Sequence, residues 1–214
     1  MTEVYDLFVI PSSRLQLFML LNVHSSSSSF ATSAAIIAKH PLVTRLLISI
    51  LLDDSATVCS AALTVVVKVL PVLASNAREE LRALLPMLMA ILARLMCWKE
   101  QHPTNVEIPS DEVPESDLER ELEAEANPIL RPDPRWNWER LEATFDMATS
   151  IPPLLRPYFT ILYYLYPANM LKFLHSPIKY LQDSGLRSPW IESWEQAIDL
   201  AEIRAHSEVR NRQR

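Results

Sequence analysis

A single glycine, Gly185, in 214 residues constrains this chain more than any motif it carries. At an average usage of about 7%, roughly fifteen would be expected. Phosphate-cradling loops, tight β-hairpins and nucleophile elbows need positive φ or close backbone approach, which glycine supplies at the least steric cost. Nucleotide-binding α/β folds and hairpin-rich β folds are therefore poor candidates, and helices remain. The sixteen prolines agree with this reading. Most fall at the edges of apolar segments, where proline opens or ends a helix.

The apolar residues recur at helical spacing. Ser12 or Ser13 can cap a first helix carrying Leu15, Phe18, Met19 and Leu21, and Ser25–Ser29 reads as a flexible connector. A second helix is predicted from Phe30 to Lys39, stopping before Pro41. Pro41 opens a third with Leu42, Leu46, Leu47 and Ile50 on one side. Asp53 and Asp54 break it, and either can cap the next helix, Ala56–Leu70. Asn76 and Glu79 have capping-box spacing for a helix running toward Trp98, which Pro86 should kink or divide. Further helices are predicted over Trp136–Ala148, from Pro152/Pro153 to Tyr166, from Pro167 through Leu174, and from Ser188-Pro189 through Ile203. About nine helices with short links favour an all-α, HEAT-like α-solenoid of stacked antiparallel pairs, with a compact bundle as the competing layout. The longest apolar runs fall short of the ~20 residues of a membrane span and read as core.

Charge is unevenly placed. Residues 1–100 carry net +1, residues 101–150 net −9 and residues 151–214 net +2. The acidity sits in Glu107–Glu125, where nine carboxylates face one cation, Arg120. With Pro103, Pro109, Pro114 and Pro128 and few large apolar residues, 102–134 reads as a flexible insertion within one domain spanning 1–214. A solvated insertion and an acidic docking tail are its two readings.

Catalytic signals are lacking. His24, His40, His102, His175 and His206 are scattered, and none has a cysteine, histidine or carboxylate at zinc-site spacing. Cys59 and Cys97 lie in apolar helical stretches and read as buried reduced thiols in a reducing, intracellular compartment. Asp53-Asp54 could be an acid/base pair, but their position between helices favours capping. Met87, Met89 and Met96 read as core filler. No cofactor or metal site is expected, and the chain is not expected to be an enzyme. A sequence pI of 5.4 without a basic stripe argues against nucleic acid.

Two groups remain as binding candidates. Trp136 and Trp138 flank a loop-to-helix junction, where aromatic anchors can hold a partner or fold back onto the core. Lys172, Lys179, Arg187, Arg204, Arg210 and Arg212 form a loose basic set that could meet an anionic membrane, although Glu202 and Glu208 dilute it. A solvated helix end is the alternative.

Several of these segments, in order, resemble the N-terminal domain of the hamartin family. They are Pro41-Leu-Val-Thr-Arg-Leu-Leu with Asp53-Asp54, the valine-rich helix ending Val69-Leu70-Pro71, the helix ending Met96-Cys97-Trp98, and Leu162-Tyr-Tyr-Leu-Tyr-Pro-Ala-Asn-Met-Leu-Lys-Phe-Leu174. The resemblance covers 41–98 and 157–175 and implies a non-catalytic, HEAT-like scaffold domain. It also implies a tuberin-like GTPase-activating subunit as partner, bound mainly through a C-terminal coiled coil that this chain lacks. Rheb would be the GTPase acted on and TOR signalling the pathway restrained. Phosphoinositides would provide peripheral attachment to lysosomal or vacuolar membranes, and a homo-oligomer is compatible. The chain is expected to be a fragment of a longer protein, and the acidic insertion departs from the family pattern. A generic HEAT-type protein-interaction module is the alternative reading.

Overall fold

A computed structural model describes residues 10–98, 130–140 and 153–211. Among them are ten α-helices and no β-strand beyond one isolated antiparallel bridge, Pro132 with Trp190. The helices are α1 Arg14–His24, α2 Phe30–Lys39, α3 Pro41–Leu52, α4 Ala56–Asn76, α5 Arg78–Met96, α6 Leu155–Leu165, α7 Pro167–His175, α8 Pro177–Asp183, α9 Trp194–Ala197 and α10 Leu200–Asn211. The all-α expectation holds.

Proline punctuation explains three of the starts. Pro41, Pro167 and Pro177 each occupy the first turn of α3, α7 and α8, where the missing N–H has no intrahelical partner to lose. The lone glycine ends α8: Gly185 has φ +72° and donates its N–H to the Gln182 carbonyl at 2.9 Å.

α4 and α5 form the spine. α4 packs against α1, α2, α3, α5 and α6, and α5 against α2, α3, α4, α6, α8 and α10. Val58, Ala62, Val65, Val66, Leu70 and Leu73 repeat at mostly three- and four-residue steps along α4 and are buried. β-branched residues cost some helix propensity, and burial of this stripe against several neighbours outweighs it. By length and composition α4 could cross a membrane, yet it packs against five neighbouring helices within the core.

Several local expectations need correction. α4 does not stop at Leu70 but runs through Pro71 to Asn76, and Pro86 does not divide α5. Ser55, not Asp53 or Asp54, caps α4, accepting from the Val58 N–H. Asn76 does not cap α5; its side chain turns back and donates to the Val72 carbonyl at 2.9 Å. Ser188-Pro189 starts no helix: Trp190 lies in the bridge, and Ser193 with Gln196 supplies the capping box of the short α9. The serine tract is a hydrogen-bonded turn rather than a loose connector. The N–H groups of Ser25, Ser26 and Ser27 donate to Leu21, Val23 and His24. Residues 136–140 form no helix: a 3-10 turn, Pro134–Trp136, gives way to Asn137 in the left-handed region. The rest of that predicted helix, and all of the 102–134 insertion except its last five residues, lie outside the described residues.

Tyr158 on α6 is fully buried and donates its hydroxyl to the Leu88 carbonyl of α5 at 2.8 Å. Removing the hydroxyl in Tyr158→Phe should cost about 1–2 kcal/mol in urea unfolding. Burial also raises this phenol well above its ordinary value. The folded chain therefore holds the proton more tightly than the unfolded chain does. Its stabilising contribution is complete below the unfolded value near ~10 and declines as pH rises past it. The urea midpoint of the parent should fall from pH ~10 upward more steeply than that of Tyr158→Phe.

Candidate functional site

The densest polar chemistry lies where α3 meets α4. Asp53 and Arg14 are both fully buried and paired at 2.5 Å. Asp53 also accepts from the Ser49 hydroxyl at 2.5 Å and from the Trp138 indole N–H at 3.0 Å. The Arg14 guanidinium lies 4.0 Å from the centroid of the Trp138 ring. Burial pulls Arg14 below its usual value, and the neighbouring Asp53 charge pulls it back. Buried charges persist only when paired and hydrogen-bonded, and this carboxylate meets that condition through Arg14, Ser49 and Trp138.

Around this pair, two guanidiniums cover the buried C-terminal end of α3. The last carbonyls of a helix lack intrahelical partners and carry partial negative charge. Arg94 donates to the Leu51 carbonyl and to the Asp53 carbonyl at 2.6 Å, and pairs with Asp54 at 3.0 Å. Arg140 donates to the Leu52 carbonyl and pairs with Asp54, each at 3.1 Å. The Cys59 thiol donates to the Asp53 carbonyl at 3.3 Å. Burial raises this thiol to about 12, so it does not form a nucleophilic thiolate near neutral pH.

Trp138 and Arg140 belong to a strap, residues 130–140, that crosses from this corner to the segment before α9. At its other end Arg131 pairs with Glu192 at 3.2 Å, the Asp133 N–H reaches the Pro189 carbonyl at 3.0 Å, and the Ile191 N–H reaches the Arg131 carbonyl at 2.9 Å. Midway, Arg45 donates to the Trp136 carbonyl at 3.1 Å. Trp138 is buried, so its ring faces the interior and not a partner; Trp136 is half-buried against the core. Asp53 therefore ends α3 as its C-cap residue, donating its N–H to the Ser49 carbonyl, but does not cap α4; its carboxylate is the anionic centre of a structural lock. Sequence reasoning missed Arg14 and Ser49 entirely. Their only signal was a polar residue on an otherwise apolar helix face.

The basic set is only partly brought together. Lys179 and Arg204 line one open cleft of about 300 Å³ between α7, α8 and α10, with His175, Gln182, Ile178 and Ile203. Lys172 is exposed on α7, its ammonium 5.9 Å from the Tyr180 ring. Arg187 instead lies close enough to Asp133 to help lower that carboxyl. The side chain of Arg210 and the whole of Arg212 lie outside the described residues. An apolar cavity of about 60 Å³ among α1 to α5 has Ser25 as its one polar lining residue. Among the described residues no group of three or more His, Cys, Asp or Glu side chains could hold a metal ion.

The described residues form a helical stack with a structural polar lock and a basic cleft. Solved structures that share its fold include the following two. The "TSC1 N-terminal domain", TSC1 being hamartin, matches 96% of this chain at 24% identity with a TM-score of 0.58. The "Structure of TSC1 NTD and linker domain" matches 97% at 24% identity with a TM-score of 0.60. The chain spans about two fifths of each, 42% and 40%. No family model and no curated protein matches the sequence. The resemblance found in the helices thus extends to the fold of nearly the whole chain.

Proposed function

We propose that this chain is a hamartin-like scaffold domain, a non-catalytic helical platform that serves a tuberin-like GTPase-activating subunit. The supporting observation is the fold match over 96% of the chain, together with the order of the segments that resemble the family. In this reading the domain helps restrain TOR signalling through GTP hydrolysis by Rheb. It lies peripherally on lysosomal or vacuolar membranes, and the cleft holding Lys179 and Arg204 favours anionic phosphoinositide headgroups.

Tagged full-length product should co-purify a tuberin-like subunit from its own cells. Recovery without one would leave a generic helical interaction module. Charge reversal at Lys172, Lys179, Arg187 and Arg204 should abolish co-sedimentation with phosphoinositide-containing vesicles while leaving the melting curve in place. Undiminished sedimentation would remove the membrane role.

A further inference from the structure

The turn between α1 and α2 places a surface hydroxyl on a lysine that has no acidic partner among the described residues. Lys68, from the middle of α4, donates to the Asn22 carbonyl at 2.7 Å, to Asn22 Oδ1 at 3.2 Å and to the Ser26 hydroxyl. No carboxylate among the described residues pairs with it. All three acceptors are neutral.

The surroundings are equally unusual. No aspartate or glutamate occurs in residues 7–52 or 55–78, so α1, α2 and α4 are entirely free of acid. Their charged residues are Arg14, Lys39 and Lys68, with His24 two positions before Ser26. An added dianion would meet no like charge on the elements that carry it. Ser26 is exposed, as are Ser27, Ser28 and Ser29 beside it. A modifying enzyme can therefore reach the hydroxyl without unfolding the core.

We propose that Ser26 is a phosphorylation site and that Lys68 is the cation that receives the phosphate. The Ser26 hydroxyl oxygen would attack the γ-phosphorus of ATP held by a separate serine kinase. The new O–P bond forms as the bond to the β–γ bridging oxygen breaks. ADP leaves, the hydroxyl proton passes to the kinase's base, and nothing is oxidised or reduced. A phosphoserine brings close to two negative charges and three strong acceptor oxygens. It would replace a neutral hydrogen bond to Lys68 by an ion pair and pin the α1–α2 turn to the central helix.

Two measurements test this. Protein purified from its own cells should carry phosphate at Ser26 when its peptides are mapped by mass spectrometry; an unmodified tract, or phosphate confined to the other serines, overturns the assignment. The chain with phosphoserine encoded at position 26 should melt about 2–4 °C above the unmodified chain at low salt. The rise should vanish in Lys68→Met, which keeps the stem and removes the charge. An equal rise in that variant, or no rise at all, would show that Lys68 is not the receptor.

Discussion

Asp53→Ala is expected to lower the unfolding free energy by about 3–5 kcal/mol, read from urea denaturation at neutral pH. The magnitude comes from what is left behind. Arg14 has no exposed surface through which to recover hydration, and the Ser49 hydroxyl and the Trp138 N–H lose the same acceptor. Removing one partner of a buried pair costs far more than the pair's net worth, because the survivor remains charged and dry. Replacing both ends by apolar residues, as in Arg14→Met with Asp53→Leu, should therefore recover most of the loss. A single-variant loss under ~1 kcal/mol would mean that water or another group reaches Arg14.

Trp138→Ala should cost about 3–5 kcal/mol by the same measurement, as for other large-to-small changes at buried aromatic sites. Here two contributions can be separated. Trp138→Phe keeps an aromatic face over Arg14 but loses the N–H to Asp53 and part of the ring volume, so its cost should be about 1–3 kcal/mol, below that of Trp138→Ala. Because Trp138 and Asp53 share a bond, their losses should fail to add by about 0.5–3 kcal/mol. Additive losses would show that the strap packs by shape alone. The two sites are 85 residues apart in sequence, so coupling between them measures long-range closure of the fold.

Much of the fold was legible because its causes are local. Phe30–Lys39 and Pro41–Leu52 stand in the structure with the bounds their prolines and apolar spacing predict, and Pro167 starts α7 as expected. What was illegible depends on partners distant in sequence. Trp190, Trp194, Ile198 and Ile203 follow helical spacing and all are buried, yet the chain breaks twice among them. The Pro132–Trp190 bridge and the Ser193 cap decide the backbone there, and neither leaves a periodic trace. Likewise Asp53 looks like a helix break in one dimension. Only the arrival of Arg14 and Trp138, which both donate to its Oδ1, makes it an anchor. The basic cleft was half-read: charge alone nominated six cations, but it could not tell that Lys179 and Arg204 line one cleft while the Arg187 charge acts on Asp133.

The strap also fixes a delay during biosynthesis. When Asp53 leaves the ribosome, Arg14 is already available to it, but the indole that completes their enclosure is still 85 residues from being made. At synthesis rates of about 5–20 residues per second, that interval is on the order of 4–17 s. Through it the nascent N-terminal helices carry an unshielded ion pair and an apolar seam. A chaperone that engages this stretch early, and lets go once residue 140 has emerged, would match the timetable written into the chain.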